Sequence, residues 1–187
     1  MRLRVESRER SHPRAQLPVF KALVGWWQGW TREATRHCLK RLAMTPDVSV
    51  LLAASRSHHP HHVVARCWLE EALAAAANGA VFTLMPMVIA SMLRLATTPK
   101  IFQQPTPISD VVAFVDAMLA MPGVELVELG AELPTLRKLC VEKALAGNDW
   151  PDVWLAAAVD HQAEHLVGFD SDFRNLLAPT RFTHLKA

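Results

Sequence analysis

Apolar positions along the chain recur at two spacings, and the switches between them mark alternating elements. Val48 to Ala54 is a short apolar run whose valines suggest a strand. After the His58–His62 cluster, apolar residues take helical spacing over about 61–77 and stop at Asn78-Gly79, a common helix terminator. Pro86 opens a second helix over 86–96, closed before Thr97-Thr98-Pro99. Val111, Phe114, Val115, Met118 and Leu119 make 107–120 amphipathic, and Val124 to Leu129 reads as a strand. Leu133, Leu136, Leu139 and Cys140 mark a further helix. Residues 152–164 are Ala-rich and apolar nearly all round, as a buried helix is. His165 to Phe169 forms a strand ending at Asp170, and Arg181 to Leu185 a last short one.

Strands alternating with helices predict an α/β domain built on a largely parallel sheet. Right-handed crossovers then gather the loops that follow the strands along one edge, where such sheets carry their sites. Upstream of Met44 the pattern changes. Residues 1–18 are polar and contain Pro, and 19–43 could form a basic helix bearing Trp26, Trp27 and Trp30.

Charge divides at the same place. The 187 residues carry a net charge of only +2, yet residues 1–43 hold ten Lys/Arg against three acids, a net +7. The remaining 144 residues hold ten bases and fifteen acids, a net −5. Two readings account for the basic segment. Met44 could itself initiate translation, with a start assigned too far upstream, or the arm is made and binds RNA or a membrane surface.

Composition excludes several classes. No apolar run approaches the roughly 20 residues of a membrane-spanning helix, and Met1 to Glu9 lacks the apolar centre of a secretory signal. Cys38, Cys67 and Cys140 are few and scattered, with no CxxC pair, which argues against a zinc ribbon or a disulfide framework and for a reducing cytoplasm. GxGxxG, P-loop and GxSxG motifs are absent.

Three aspartates stand where an apolar element meets a loop. Asp47 precedes the first apolar run, Asp152 opens the buried helix and Asp170 ends a strand. Each alone could be a cap or a turn residue. Converging on one sheet edge, they would repel unless a hard, oxygen-preferring cation such as Mg²⁺ or Mn²⁺ joined them. Such a cluster can activate water for in-line displacement at phosphorus.

Five segments in this order resemble a PIN domain, and more closely the VapC toxins of bacterial toxin–antitoxin pairs. They are Met44-Thr45-Pro46-Asp47-Val48-Ser49, His59-Pro60-His61-His62 through Trp68-Leu69-Glu70, Leu93-Arg94-Leu95-Ala96-Thr97-Thr98-Pro99-Lys100-Ile101-Phe102, Gly147-Asn148 with Pro151-Asp152-Val153-Trp154, and Phe169-Asp170-Ser171-Asp172-Phe173. The match covers residues 44–187. It implies a PIN-like, Rossmann-like three-layer fold with a mostly parallel central sheet flanked by helices. It also implies a cytoplasmic Mg²⁺- or Mn²⁺-dependent endoribonuclease, a homodimer, neutralised by a cognate antitoxin.

On this resemblance Asp47, Asp152 and Asp170 hold one or two metal ions and are catalytic. Asp172 is a fourth carboxylate, as ligand or support. Ser49 orients Asp47 and Asn148 braces the loop around Asp152. Cleavage leaves a 5′-phosphate and a 3′-hydroxyl. The resemblance also makes the residues after Asp47 the first helix rather than a strand. One departure stands out: where many PIN domains carry a second acid, the segment Met87 to Arg94 has none, and Ile89 aligns with it. An RNA-processing nuclease outside a toxin pair and a catalytically degraded binding module are the rival readings.

Other features carry less. Arg94, Lys100 and Arg174 are candidate RNA-phosphate contacts, Arg94 equally an ordinary helix-surface residue. The histidine cluster is read as a helix start rather than a zinc site. Trp68, Trp150 and Trp154 are expected in the core or at a dimer interface, and Cys67 buried.

Overall fold

The computed structural model describes residues 43–143 and 150–186. The basic arm and Asn148 fall outside the described residues. The chain runs β1 (Met44–Pro46), α1 (Val48–Ser55), α2 (His62–Ala77), β2 (Phe82–Leu84), α3 (Pro86–Ala96), α4 (Ile108–Leu119) and β3 (Val124–Leu126). It continues through α5 (Leu133–Lys143), α6 (Trp150–His161), β4 (His165–Gly168), α7 (Phe173–Leu176), a 3₁₀ turn at Pro179–Arg181 and β5 (Phe182–His184).

The five strands form one sheet in the order β3-β2-β1-β4-β5, with every neighbouring pair parallel. The first two crossovers step from β1 to β2 to β3, and the third returns past β1 to place β4 on its other side. Right-handed crossovers therefore lay α1–α4 over one face and α5–α6 over the other. The α/β class with a parallel sheet holds as expected.

The run Val48–Ala54 is helical, not a strand, as the family resemblance and not the valines implied. Its valines and leucines are buried nearly all round, which removes the periodicity that separates the two states. Strand β2 lay outside the pattern reading, because three buried residues are too few to show a period. Helix α6 is already formed at Trp150, so Asp152 lies in its first turn rather than capping it. Helix α5 contains the four residues that mark it in the sequence but buries none of its residues.

Punctuation worked where backbone chemistry is decisive. Helix α2 ends at Asn78, and Gly79 follows with φ +99°. Gly123, with φ +76°, brings the start of β3 so close to α2 that a Cβ would meet the carbonyl oxygen of Ala76 at 2.3 Å. Only glycine fits there.

The core lies between α1 and the sheet and is filled by Val50, Leu51, Phe82, Leu84, Met92 and Leu166, all essentially inaccessible. One expectation fails here. Cys67 is exposed, because it sits on the outer face of α2. Of the core and interface alternatives for the tryptophans, Trp68 takes the core, packed against Phe82, while Trp150 and Trp154, 50% and 40% exposed, do not.

One buried carboxylate lies just before β4. Glu164 accepts from the Thr45 hydroxyl on β1 and is hydrogen-bonded by Thr83 on β2. Burial pushes its pKa up from the ordinary 4.5, the threonines oppose this, and the Glu125 carboxylate adds to it. A raised folded-state value means its favourable contribution is complete below that ordinary value and is lost as pH climbs through the folded one. Glu164→Gln is expected to melt a few degrees above the native protein at pH 7–8, about 1 kcal/mol, with the gap closing toward pH 4.5. Thermal denaturation across that range checks this. A variant less stable at every pH refutes it.

Candidate active site

The strand order reverses direction between β1 and β4, so the crevice beyond their carboxyl ends is the switch point of the sheet. Asp47 follows β1 directly at this edge, and Asp170 lies two residues beyond the end of β4. The register Thr45↔Leu166 and Pro46↔Val167 holds the two strand ends level, and the Asp47 N–H donates to the Val167 carbonyl at 2.8 Å.

Asp47 is 4% exposed. It is the N-cap of α1, and its Oδ2 accepts from the Ser49 N–H at 3.1 Å and the Ser49 hydroxyl at 2.5 Å. The capping reading and the site reading are therefore compatible. Burial pushes the Asp47 pKa up from 3.8; the Ser49 and Val48 hydrogen bonds pull it down, and the Asp170 carboxylate pushes it up again. Two acids from strands far apart in sequence thus feel each other's charge. A buried carboxylate disfavoured by its surroundings and by a like charge is primed for a cation.

Asp152 reaches the same place from α6. A cleft of about 220 Å³ is walled by Asp47 and Val48, by Met87, Val88, Ser91, Arg94 and Leu95 of α3, and by Pro151, Asp152 and Leu155 of α6. Asp152 is half-buried. Arg94 is exposed at the cleft wall.

The other sequence candidates are dispersed. Asp170 is exposed, and its Oδ1 accepts the Asp172 N–H at 2.9 Å. Asp172 is exposed as well, on the same turn. Lys100 is exposed in the α3–α4 loop and is not part of the cleft wall. Arg174, on α7, lines a separate cavity of about 290 Å³ with Leu177, Pro179, Phe182 and His184. Ile89 packs against the core, so the acid-free stretch of α3 meets the cleft through Ser91 and Arg94. The histidine cluster begins α2, with His62 bonded to the Ala53 carbonyl at 3.0 Å.

The donor chemistry suits a hard divalent cation. The acids facing or flanking the cleft offer only oxygen, and the most buried one gains from a positive neighbour. Among the described residues no three His, Cys, Asp or Glu side chains close into a finished cage. Asp47 and Asp152 could hold such an ion, with Asp170 near enough for its charge to act on Asp47.

Sequence reasoning missed the surroundings of Phe169. Its N–H donates to the Ser49 hydroxyl at 3.3 Å, its carbonyl is bonded by His184 Nε2 at 2.9 Å, and its ring stacks on His61 at 4.6 Å and 18°. Ser49 therefore bridges the Asp47 and Asp170 loops, bonding both Asp47 Oδ2 and the Phe169 N–H. Nothing local in the sequence ties His184 or His61 to Phe169.

A parallel five-stranded sheet with carboxylates converging at its switch point defines an α/β protein of PIN-like architecture. No protein-family model matches the chain. Among curated proteins it is 43% identical over 129 residues to Ribonuclease VapC25 of Mycobacterium tuberculosis, covering 68% of this chain and 88% of that one. Ribonuclease VapC31 of the same organism matches to the same extent. Ribonuclease VapC33 is 30% identical over 144 residues, 75% of this chain and 93% of its own. The chain belongs to the VapC family. Among solved structures, VapBC2 from Rickettsia felis bound to a DNA fragment from its promoter superposes with a TM-score of 0.54 at 14% identity, over 78% of this chain and all of that one. That likeness concerns the fold. No helix among the described residues is long and apolar enough to cross a membrane.

Proposed function

We propose that the protein is a divalent-metal-dependent endoribonuclease acting as the toxin of a VapBC-type pair. The observation that carries this is the meeting of Asp47 and Asp152 in one cleft at the sheet's switch point, with Arg94 on the wall and Asp170 alongside. The names of the relatives, ribonucleases at up to 43% identity over most of their length, support it. Mg²⁺ or Mn²⁺ supplies the charge that lets the carboxylates gather and the acidity that makes water a nucleophile. The chain's own residues do the rest. Ser49 holds the Asp47 carboxylate in one rotamer, Asp152 presents the facing carboxylate, and Arg94 draws a phosphodiester to the mouth of the cleft.

The proposed partners are RNA, a cognate antitoxin and a second copy of the chain. Exposed Trp150, Trp154, Leu133 and Val141 leave apolar surface on α5 and α6 for protein contacts. The functional domain is residues 44–187, with 1–43 as an appendage.

The test is incubation of the full chain with structured and single-stranded RNA. Cleavage is expected with Mn²⁺, leaving 5′-phosphate ends, and should cease with EDTA or on adding the antitoxin. RNA left intact with Mn²⁺ across substrates would favour the binding-module reading.

A further inference from the structure

Asp170 poses a positioning problem. Its carboxylate is exposed and bonded within its own turn, Oδ1 accepting the Asp172 N–H at 2.9 Å, so its direction depends on how that turn is held. The carbonyl of the Phe169–Asp170 peptide belongs to Phe169, and His184 Nε2 lies 2.9 Å from it. A carbonyl can only accept, so Nε2 carries the proton. In a neutral ring Nδ1 then offers a lone pair, and the Arg174 Nη2 lies 2.9 Å from it, donating. One species satisfies both bonds: the neutral imidazole protonated at Nε2. His184, at the end of β5, thereby ties both ends of the turn that carries Asp170 and Asp172, gripping the Phe169 carbonyl before it and Arg174 after it.

We propose that His184, braced by Arg174, is a positioning residue that fixes the Phe169–Asp170 peptide and so keeps the turn bearing Asp170 where its carboxylate would help Asp47 bind a cation. This rests on the metal-dependent nuclease reading. It also gives Arg174 a role other than the phosphate contact expected from sequence. Ser49 holds the same residue from its N–H side, so Phe169 is constrained from α1 and β5 together.

The role requires a donor toward Phe169 and an acceptor toward Arg174, which separates it from mere packing. A Gln side chain offers both, Lys offers only a donor and Ala neither. The experiment measures Mn²⁺ binding to the full-length protein by electron paramagnetic resonance, together with RNA-cleavage kinetics, for wild type, His184→Gln, His184→Lys and His184→Ala. Metal-free melting reports folding. His184→Ala and His184→Lys are expected to bind Mn²⁺ about tenfold more weakly and lose kcat with KM for RNA little changed, while His184→Gln stays near wild type.

Mn²⁺ affinity unchanged in His184→Ala overturns the proposal, as does His184→Gln falling as far as His184→Ala. If His184→Ala does not fold, the Gln–Lys comparison decides: equal affinities overturn it. Wild type that binds Mn²⁺ without cutting RNA sinks the nuclease reading alone, and the affinity ranking still judges His184.

Discussion

Asp47→Asn is expected to lower RNA cleavage on the order of 10³-fold while raising the melting temperature of the metal-free protein by a few degrees. The two effects share one cause. Asp47 is 4% exposed, and burial together with the Asp170 charge holds its pKa above the ordinary 3.8. A carboxyl whose folded-state pKa is raised adds its full stability only below its unfolded value and loses that contribution as pH rises through the folded one. Near neutrality the buried charge is therefore a cost. Asparagine removes it and keeps an oxygen for the Ser49 N–H and hydroxyl, so the cap of α1 survives.

The same change removes the negative charge that a cation needs, and cleavage goes with it. Asp152→Asn is the contrast. It should lose activity comparably without the gain in stability, because Asp152 is half-buried in the first turn of α6, where a negative charge is favourable. Paired melting curves and cleavage rates separate the two. An Asp47→Asn protein that still cuts RNA at near-native rates, or melts lower without metal, contradicts this account of the site.

Arg94→Glu is expected to raise KM for RNA about tenfold or more, with a smaller change in kcat. Arg94 is exposed, so no core is disturbed, and the stability cost of an acid in the last turn of α3 should stay below about 1 kcal/mol. It nonetheless stands on the wall of the cleft that holds Asp47 and Asp152. Reversing its charge leaves the cleft wall acidic on both sides and repels the phosphate backbone. Because a phosphate contact releases counterions, the salt dependence of binding should flatten by about one unit of slope. Affinities measured from low to moderate salt test this. An unchanged KM with an unchanged slope would return Arg94 to the role of a surface residue.

Legibility followed the range of the physics. Helices α2, α3 and α4 were readable because helical spacing, Pro86 and Asn78-Gly79 act over a few residues. The run Val48–Ala54 suggests a strand by its valines and a helix only through the family resemblance, because a helix buried almost all round has no polar face to reveal its period. The exposure of Cys67 was not legible because residue type records only an average preference for burial, whereas the outer face of α2 is set by packing.

Spacing and punctuation along the chain set the alternation of helices and strands, hence a parallel sheet, and the presence of acids where strands give way to loops. Ordered motifs in the sequence determined the family. Which acids meet depends on how the sheet is assembled. Asp47 and Asp152 are more than a hundred residues apart, and they share a cleft because the third crossover returns past β1. The same assembly also decided that Ser49 bridges two loops, and that His184 and Arg174 grip the turn bearing Asp170. Local propensity acts within about one helical turn, while contacts between chain ends depend on the strand order that the whole core selects.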